Sequence, residues 1–352
     1  MKKVLKVLLA VILVVVLAAV LLFTWLTIDE FKPDDVMEVT PVCADDAESV
    51  KIGEPISVLT WNIGYAGLGE NSDFFMDGGK EVAAADRAQV EEYLKGIYTT
   101  VYNGESTPDL VMFQEVDKNS ARSYSIDEVK YLGNANSTFA LNISVDFIPY
   151  PLPPIGLANS GILTNTVYNI DSAERISLPC PFKWPVSTSN FKRCLLVSRL
   201  PIEGSDKELV VVNLHLEGYD VGDGRTAQNK QLLDFIQSEY EKGNYVLTGG
   251  DFNLEFPGAT DLYPNTHEDL WMPGVIEEDM LPEGWQFAYD ISTPTCRLLN
   301  QPYDPSDTEN TQYYAIDGYI LSPNITLNDV KTLQTDFAYS DHNPVTLSIT
   351  LG

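Results

Sequence analysis

Tyr245 to Leu254 reads Y-V-L-T-G-G-D-F-N-L. Apolar and β-branched residues lead into a glycine pair and then set down Asp251 and Asn253 two positions apart. That is the pattern of a buried strand followed by an abrupt turn. Side chains two apart in extended chain point the same way. A carboxylate and an amide would then project together past a sheet edge, an arrangement suited to holding and activating a water. An Asx turn explains the same residues by backbone chemistry alone, so the stretch gains meaning only from other strand ends like it.

Several such ends occur. Ile56 to Trp61 (I-S-V-L-T-W) reads as a strand that delivers Asn62, and Leu110 to Phe113 as one that finishes at Gln114 and Glu115. Leu209 to Leu214 delivers His215, after a shorter strand at Leu195 to Val197. Asn244 to Thr248 is the strand that feeds Asp251. Tyr314 to Leu321, Y-A-I-D-G-Y-I-L, places Asp317 inside a strand, and S-D-H-N-P-V-T-L-S-I-T sets Asp341 and His342 just ahead of a last one. Between them, Val90, Tyr93, Leu94, Ile97 and Tyr98 recur at helical spacing over Asp86 to Tyr98, and Leu232, Leu233, Ile236 and Tyr240 do so over Ala227 to Tyr240. Strands alternating with helices predict an α/β architecture.

The segment from Asp117 to about Arg193 is the least regular. Its run Phe147 to Leu157, F-I-P-Y-P-L-P-P-I-G-L, holds too many prolines for a helix or a central strand and is expected to form a loop. Such an apolar loop either packs onto its own domain or, as large exposed apolar patches do, meets a partner such as lipid.

At the N-terminus, Lys2, Lys3 and Lys6 precede an apolar run from Val7 to Leu26 that only Thr24 interrupts. At 1.5 Å per residue, about 20 such residues cover the roughly 30 Å hydrocarbon core, whereas a signal-peptide core is about 7 to 15 residues long. No small-residue cleavage site follows, so the expectation is an uncleaved anchor with Trp25 near the outer interface. Basic residues before the helix, and Asp29, Glu30, Asp34 and Asp35 after it, put the N-terminus in the cytoplasm and the remainder outside. The expected organisation is an anchor over 1–28, an acidic tether over 29–50 with room for one edge strand, and a single domain over 51–352. No feature calls for an oligomer, so a monomer is expected.

Removing the three N-terminal lysines from the 22 basic residues leaves 19 against 51 acidic ones. A field that negative repels polyanions and argues against tight nucleic-acid binding, which rests on basic patches. It does not exclude a nuclease, because a bound divalent cation reverses the sign locally. Cys43, Cys180, Cys194 and Cys296 match no zinc pattern, and an oxidising compartment would permit disulfides among them, with the pairing open.

Only three histidines occur, and two of them, His215 and His342, sit at strand boundaries; His267, in P-N-T-H-E-D, reads as a solvated loop residue. Asn62, Glu115, Asp251, Asn253 and Asp341 from separate strands would make an oxygen-rich site suited to Mg²⁺ or Mn²⁺ rather than a zinc cage. The chemistry implied is metal-assisted hydrolysis of a phosphate ester. At this point the chain resembles the endonuclease/exonuclease/phosphatase family. Six motifs arrive in that family's order between about Ile56 and Ile349: T-W-N, Q-E-V, N-L-H, G-D-F-N, I-D-G-Y-I and S-D-H-N-P-V.

The resemblance implies a four-layer sandwich, two mixed β-sheets face to face with helices outside. It implies Glu115 as a metal ligand, with Asn62 and Asp341 on the metal side. Asp251 would orient or deprotonate the attacking water, and Asn253 would position it. His342 would contact the scissile phosphate with Asp317 orienting its ring, and His215 would bind a phosphate oxygen or protonate the leaving group. A non-catalytic surface module would be expected to have lost one of Glu115, Asp251 or His342, and all are present. Among phosphoester substrates, the anchor, the acidity and the apolar loop favour a phospholipid or sphingolipid diester over nucleic acid.

Overall fold

The computed structural model describes residues 2–104, 107–220, 222–267, 269–277 and 279–352. Two β-sheets lie face to face. One runs Val36–Glu38, Ser172–Ser177, Cys194–Pro201, Glu208–His215, Tyr245–Asp251, Asp317–Leu321, Gln286–Ala288. The other runs Ile325–Thr332, Val345–Leu351, Pro55–Asn62, Leu110–Asp117, Gly156–Thr166, Ser137–Ile148.

Among the described residues each sheet holds one parallel pair, Glu208–His215 with Tyr245–Asp251 and Pro55–Asn62 with Leu110–Asp117. Parallel neighbours need a crossover, and the long helices supply it: Arg87–Tyr102 in one case and Asp223–Glu241 in the other. Both strands of a parallel pair end at the same edge. That places Asn62 beside Glu115 and His215 beside Asp251.

Side-chain alternation builds the layers. Val58, Leu110, Met112 and Leu347 of one sheet pack between the sheets against Leu209, Val211, Leu247 and Tyr319 of the other. Leu59, Trp61, Val111 and Phe113 face outward onto Val90, Leu94 and Ile97 of the first helix. Val210, Val212 and Val246 face Leu232 and Ile236 of the second. The four-layer sandwich expected from the sequence is present.

Local differences have identifiable causes. The first helix is four residues longer at its C-terminal end than its spacing predicts, and Asp86 caps it by accepting the Gln89 N–H at 2.9 Å. The glycine pair is not a turn: Gly249 and Gly250 lie inside the strand, and a Cβ at Gly250 would run into the Leu214 carbonyl oxygen of the neighbouring strand. The supposedly irregular middle holds the long hairpin Ser137–Ile148 and Gly156–Thr166. Its buried positions include Thr138, Asn142, Ser160, Thr164 and Asn165, which hide a strand's apolar alternation. These polar groups find partners such as Ser198 for Thr138 at 2.8 Å. The expected tether contributes the edge strand Val36–Glu38 and buries Val50 in the core. The helix Lys2–Asp29 is long and apolar enough to cross a membrane, and the four cysteines are free.

Arg199 shows what a lone arginine does here. It grips Glu239 through two bonds of 3.0 and 2.9 Å and reaches Glu174 and Glu208, each at 3.2 Å. Burial would push the Glu239 carboxyl up, but Arg199, Lys242 and Asn244 together hold it at about 2. A depressed carboxyl stabilises the fold above its unfolded value of 4.5, and the contribution fades as the pH falls toward 2. Glu239→Gln is expected to cost about 2 kcal/mol in urea unfolding at pH 7, with the gap between variant and parent closing below pH 4.5. A gap that stays constant with pH would contradict this assignment.

Candidate active site

The strand ends from the two sheets converge on one cleft, and Asn62 stands at its centre. The Asn62 Nδ2 donates to Asp251 Oδ2 at 3.0 Å and to Glu115 Oε1 at 3.3 Å, and lies 3.4 Å from His342 Nε2. Its Oδ1 accepts the Gly64 N–H at 3.0 Å. Asn62 therefore links the Asp251 and Glu115 carboxylates through its amide nitrogen.

Glu115 is aimed by a bulge. The strand does not stop there, as the sequence suggests, but runs to Asp117, with its register broken between Phe113 and Val116. Glu115 takes up the extra length at φ 54°. Its Oε2 lies 3.8 Å from Arg122, a guanidinium already engaged by Asp117 at 3.0 Å.

Asp251 is the last residue of its strand and is registered with His215 on one side and Asp317 on the other. Three neighbouring strands thus present three titratable side chains in one row. Asp317 is the first residue of its strand, because Tyr313–Tyr314 belongs to a separate short ladder with Cys296–Arg297. The Asp251 Oδ2 lies 3.3 Å from His215 Nε2 and 3.8 Å from His342 Nε2. Burial, reinforced by the Asp317 charge, pushes the Asp251 carboxyl up to about 7.

The two histidines are set in opposite directions. Burial alone would lower His342, but Asp317, whose Oδ2 lies 2.8 Å from Nδ1, leads the groups that raise it well above its ordinary value. His342 is held as the cation. His215 is driven well below its ordinary value by burial and by the positive charges of Arg193 and His342, and its Nδ1 has no partner. It is neutral.

Asn253 corrects the sequence argument. It sits at φ 50°, not in extended chain, so its side chain does not share Asp251's direction by strand alternation. It donates its backbone N–H to Asp251 Oδ1 at 2.8 Å and its Nδ2 to the Leu216 carbonyl at 2.9 Å. The Asx-type bond does not take the pair out of the cleft, which both residues line. His267 lies outside it, half-buried.

The donor chemistry fits a hard divalent cation. Glu115, Asp251 and Asp341 bring carboxylate oxygens into one buried cleft. Burial pushes Asp341 to about 6, with Glu115 raising it further against His342. Two tight groups could also hold an ion, Asp251–Asp317–His342 and Cys296–Asp341–His342. In the first, His342 is already bonded to Asp317. The second would offer a soft cysteine sulfur, a poor match for a hard cation such as Mg²⁺ or Mn²⁺. Glu115 and Asp341 line the same cleft, close enough for the Glu115 charge to raise Asp341, and their carboxylates could hold a cation.

Arg193 is a site residue that the sequence does not single out. It is buried in the cleft wall, with Nε and Nη1 unpartnered, Glu217 3.6 Å away, and its guanidinium 4.4 Å from the Phe191 ring centre. Arg297 also lines the cleft but donates to the carbonyls of Gly69 and Ser72, and Arg225 donates to those of Gly218 and Asp220. Nothing in the sequence around Arg193 distinguishes it from Arg199, Arg225 and Arg297. The far wall, Phe74, Asp77, Tyr219 and Trp271, comes from irregular segments and carried no sequence signal; there Tyr219 donates to Asp77 at 3.1 Å.

No protein-family model matches the chain, and no curated protein matches it by sequence. Solved structures do match it by fold. An endonuclease/exonuclease/phosphatase family protein from Leptotrichia buccalis aligns with a TM-score of 0.51 at 15% identity, over 84% of this chain and 100% of that one. Proteins of the same description from Bacteroides vulgatus and Beutenbergia cavernae align with TM-scores of 0.50 at 16% identity. Each covers 85% of this chain, with 100% and 72% of the other chain matched. At such identities the likeness establishes a shared fold.

Glu115→Gln and Asp341→Asn are each expected to weaken Mn²⁺ binding, measured by calorimetry on the full chain, by about tenfold or more. Unchanged affinity in both variants would remove these two residues from the metal side.

Proposed function

We propose that the protein is a phosphodiesterase dependent on Mg²⁺ or Mn²⁺, with its domain on the extracytoplasmic side of a membrane and a phospholipid or sphingolipid diester as substrate. The observation that carries this reading is the row His215–Asp251–Asp317 with His342 bonded to Asp317 and Asn62 bridging Asp251 to Glu115. A cation held by Glu115 and Asp341 would supply Lewis-acid polarisation of the phosphate.

The chain's own residues do the rest. His342, kept cationic by Asp317, donates from Nε2 to a non-bridging phosphate oxygen, and Arg193, whose Nε and Nη1 have no hydrogen-bond partner, adds a second positive charge. Asp251, with a pKa of about 7, suits accepting the proton of the attacking water near neutral pH. The Asn253 N–H and the Asn62 amide fix the orientation of its carboxylate. His215 is neutral, so it binds an oxygen rather than delivering a proton from the imidazolium form. A net charge of −29 sets nucleic acid behind a zwitterionic lipid as substrate.

The test uses the full chain in phosphatidylcholine nanodiscs with Mg²⁺ or with EDTA, against bis(p-nitrophenyl) phosphate, plasmid DNA and sphingomyelin vesicles. EDTA-sensitive cleavage of the generic diester and of lipid is expected, and cleavage of the plasmid alone would overturn the lipid reading. Asp251→Ala and His342→Ala should each lower kcat/KM by about 10³-fold or more with the fold intact. Undiminished turnover in either would refute its role. Arg193→Ala should mainly raise KM, by about tenfold.

A further inference from the structure

The anchor helix does not run out into a loose tether. Its last turns pack against two loops of the domain. The Phe23 ring lies 5.8 Å from that of Trp184, and the Trp25 ring 6.1 Å from that of Phe147. The Trp184 Nε1 donates to Thr27 Oγ1 at 3.0 Å, the Asp146 N–H donates to Asp29 Oδ2 at 2.8 Å, and Lys192 pairs with Glu30 at 3.1 Å. Phe23 and Trp25 close the apolar run, the level where a spanning helix leaves the roughly 30 Å hydrocarbon core. The loops that touch them stand at that level.

Those loops expose apolar side chains: Tyr150 is 71% and Leu152 87% exposed at the hairpin tip, and Trp184 61% and Val186 57% on the neighbouring loop. No charged residue occurs from Phe147 to Leu157. Pro149, Pro151, Pro153 and Pro154 carry no N–H, so the tip offers few donors that would be left unsatisfied away from water. Tyrosine and tryptophan suit the interfacial zone of a bilayer. The same hairpin reaches the cleft: the Tyr150 ring lies 6.2 Å from that of Phe75, whose neighbours Phe74 and Met76 line the cleft, as does Phe191 beyond the second loop. Helix exit, apolar loops and cleft mouth therefore share one side of the molecule.

We infer that the hairpin Phe147–Leu157 and the loop around Trp184 rest in the interfacial zone of the bilayer that the N-terminal helix spans, turning the cleft toward the lipid headgroups. The inference rests on the membrane-anchored phosphodiesterase reading and adds how the substrate reaches the site. The surface it needs is electrically neutral or zwitterionic, because a chain with 51 acidic and 22 basic residues would be repelled by an anionic one. Lys183, exposed beside Trp184, would meet the phosphates of that surface.

The experiment places the full chain in phosphatidylcholine nanodiscs whose acyl chains carry bromine near the headgroup, a short-range quencher of tryptophan. Trp184→Phe is expected to remove roughly half of the quenched amplitude, Trp25 being the other tryptophan at that depth. The double variant Tyr150→Asp, Leu152→Asp is expected to cleave the bilayer diester at least about tenfold more slowly, because carboxylates resist entering the interface. It should hydrolyse bis(p-nitrophenyl) phosphate at the parent rate. Quenching unchanged by Trp184→Phe, or bilayer cleavage unchanged in the double variant, would overturn the inference. Two chains per disc with Trp184 unquenched would overturn it in favour of a second copy. A parent that cleaves neither substrate would fail the enzymatic reading alone, and the quenching would still decide whether the loops meet lipid.

Discussion

Gln114 donates to Asn213 at 2.8 Å across the gap between the two sheets, and the site depends on that registration. Asn213 in turn donates to the carbonyls of Phe113 and Leu163, and Gln114 also donates to Thr60 at 3.1 Å, so the buried amides are bonded on both sides. A buried polar network is stabilising only when its members are satisfied, and then it admits one geometry. Glu115 follows Gln114 directly, and His215 lies two residues past Asn213. The contacts that matter in the cleft, Asn62 to Asp251 and His342 to Asp317, also pass from one sheet to the other. Sliding one sheet by an ångström would break them together.

The electrostatics follow from the same packing. Pressing Glu115, Asp251, Asp317 and Asp341 into one buried cleft raises Asp251 and Asp341, while the nearest carboxylate makes His342 a cation and the nearby cations keep His215 neutral. Two imidazoles in one cleft thus acquire opposite protonation states from position alone. Carboxylate oxygens of Glu115, Asp251 and Asp341 gathered in one cleft are the physical argument for a divalent cation there.

Much of this was legible in the sequence, because strands that end in polar residues stand out against their apolar interiors: Asn62, His215 and Asp251 are such cases. What stayed hidden had a reason in each instance. Ser137–Ile148 is a long strand whose buried positions are often polar, so its alternation does not show. Glu115 owes its direction to a bulge, and Asn253 to a left-handed backbone, neither of which a strand pattern encodes. Arg193 differs from Arg199 and Arg297 in leaving its buried Nε and Nη1 without hydrogen bonds, a property of the folded chain. Of the proline-rich run expected to form a loop, residues 149–155 do so while Phe147, Ile148, Gly156 and Leu157 end the two strands, and only the fold brings the tip beside both the helix end and the cleft.

The proposed chemistry rests on one cation site at Glu115 and Asp341, both from the same edge of one sheet, beside the Asp317–His342 pair that ties that edge to the other sheet. The most direct measurement is the anomalous difference map of a crystal of the full chain grown with Mn²⁺. The account predicts a peak within coordination distance of the Glu115 and Asp341 carboxylates. A sole peak coordinated by Asp251, Asp317 and His342, with the His342–Asp317 bond broken, would contradict it.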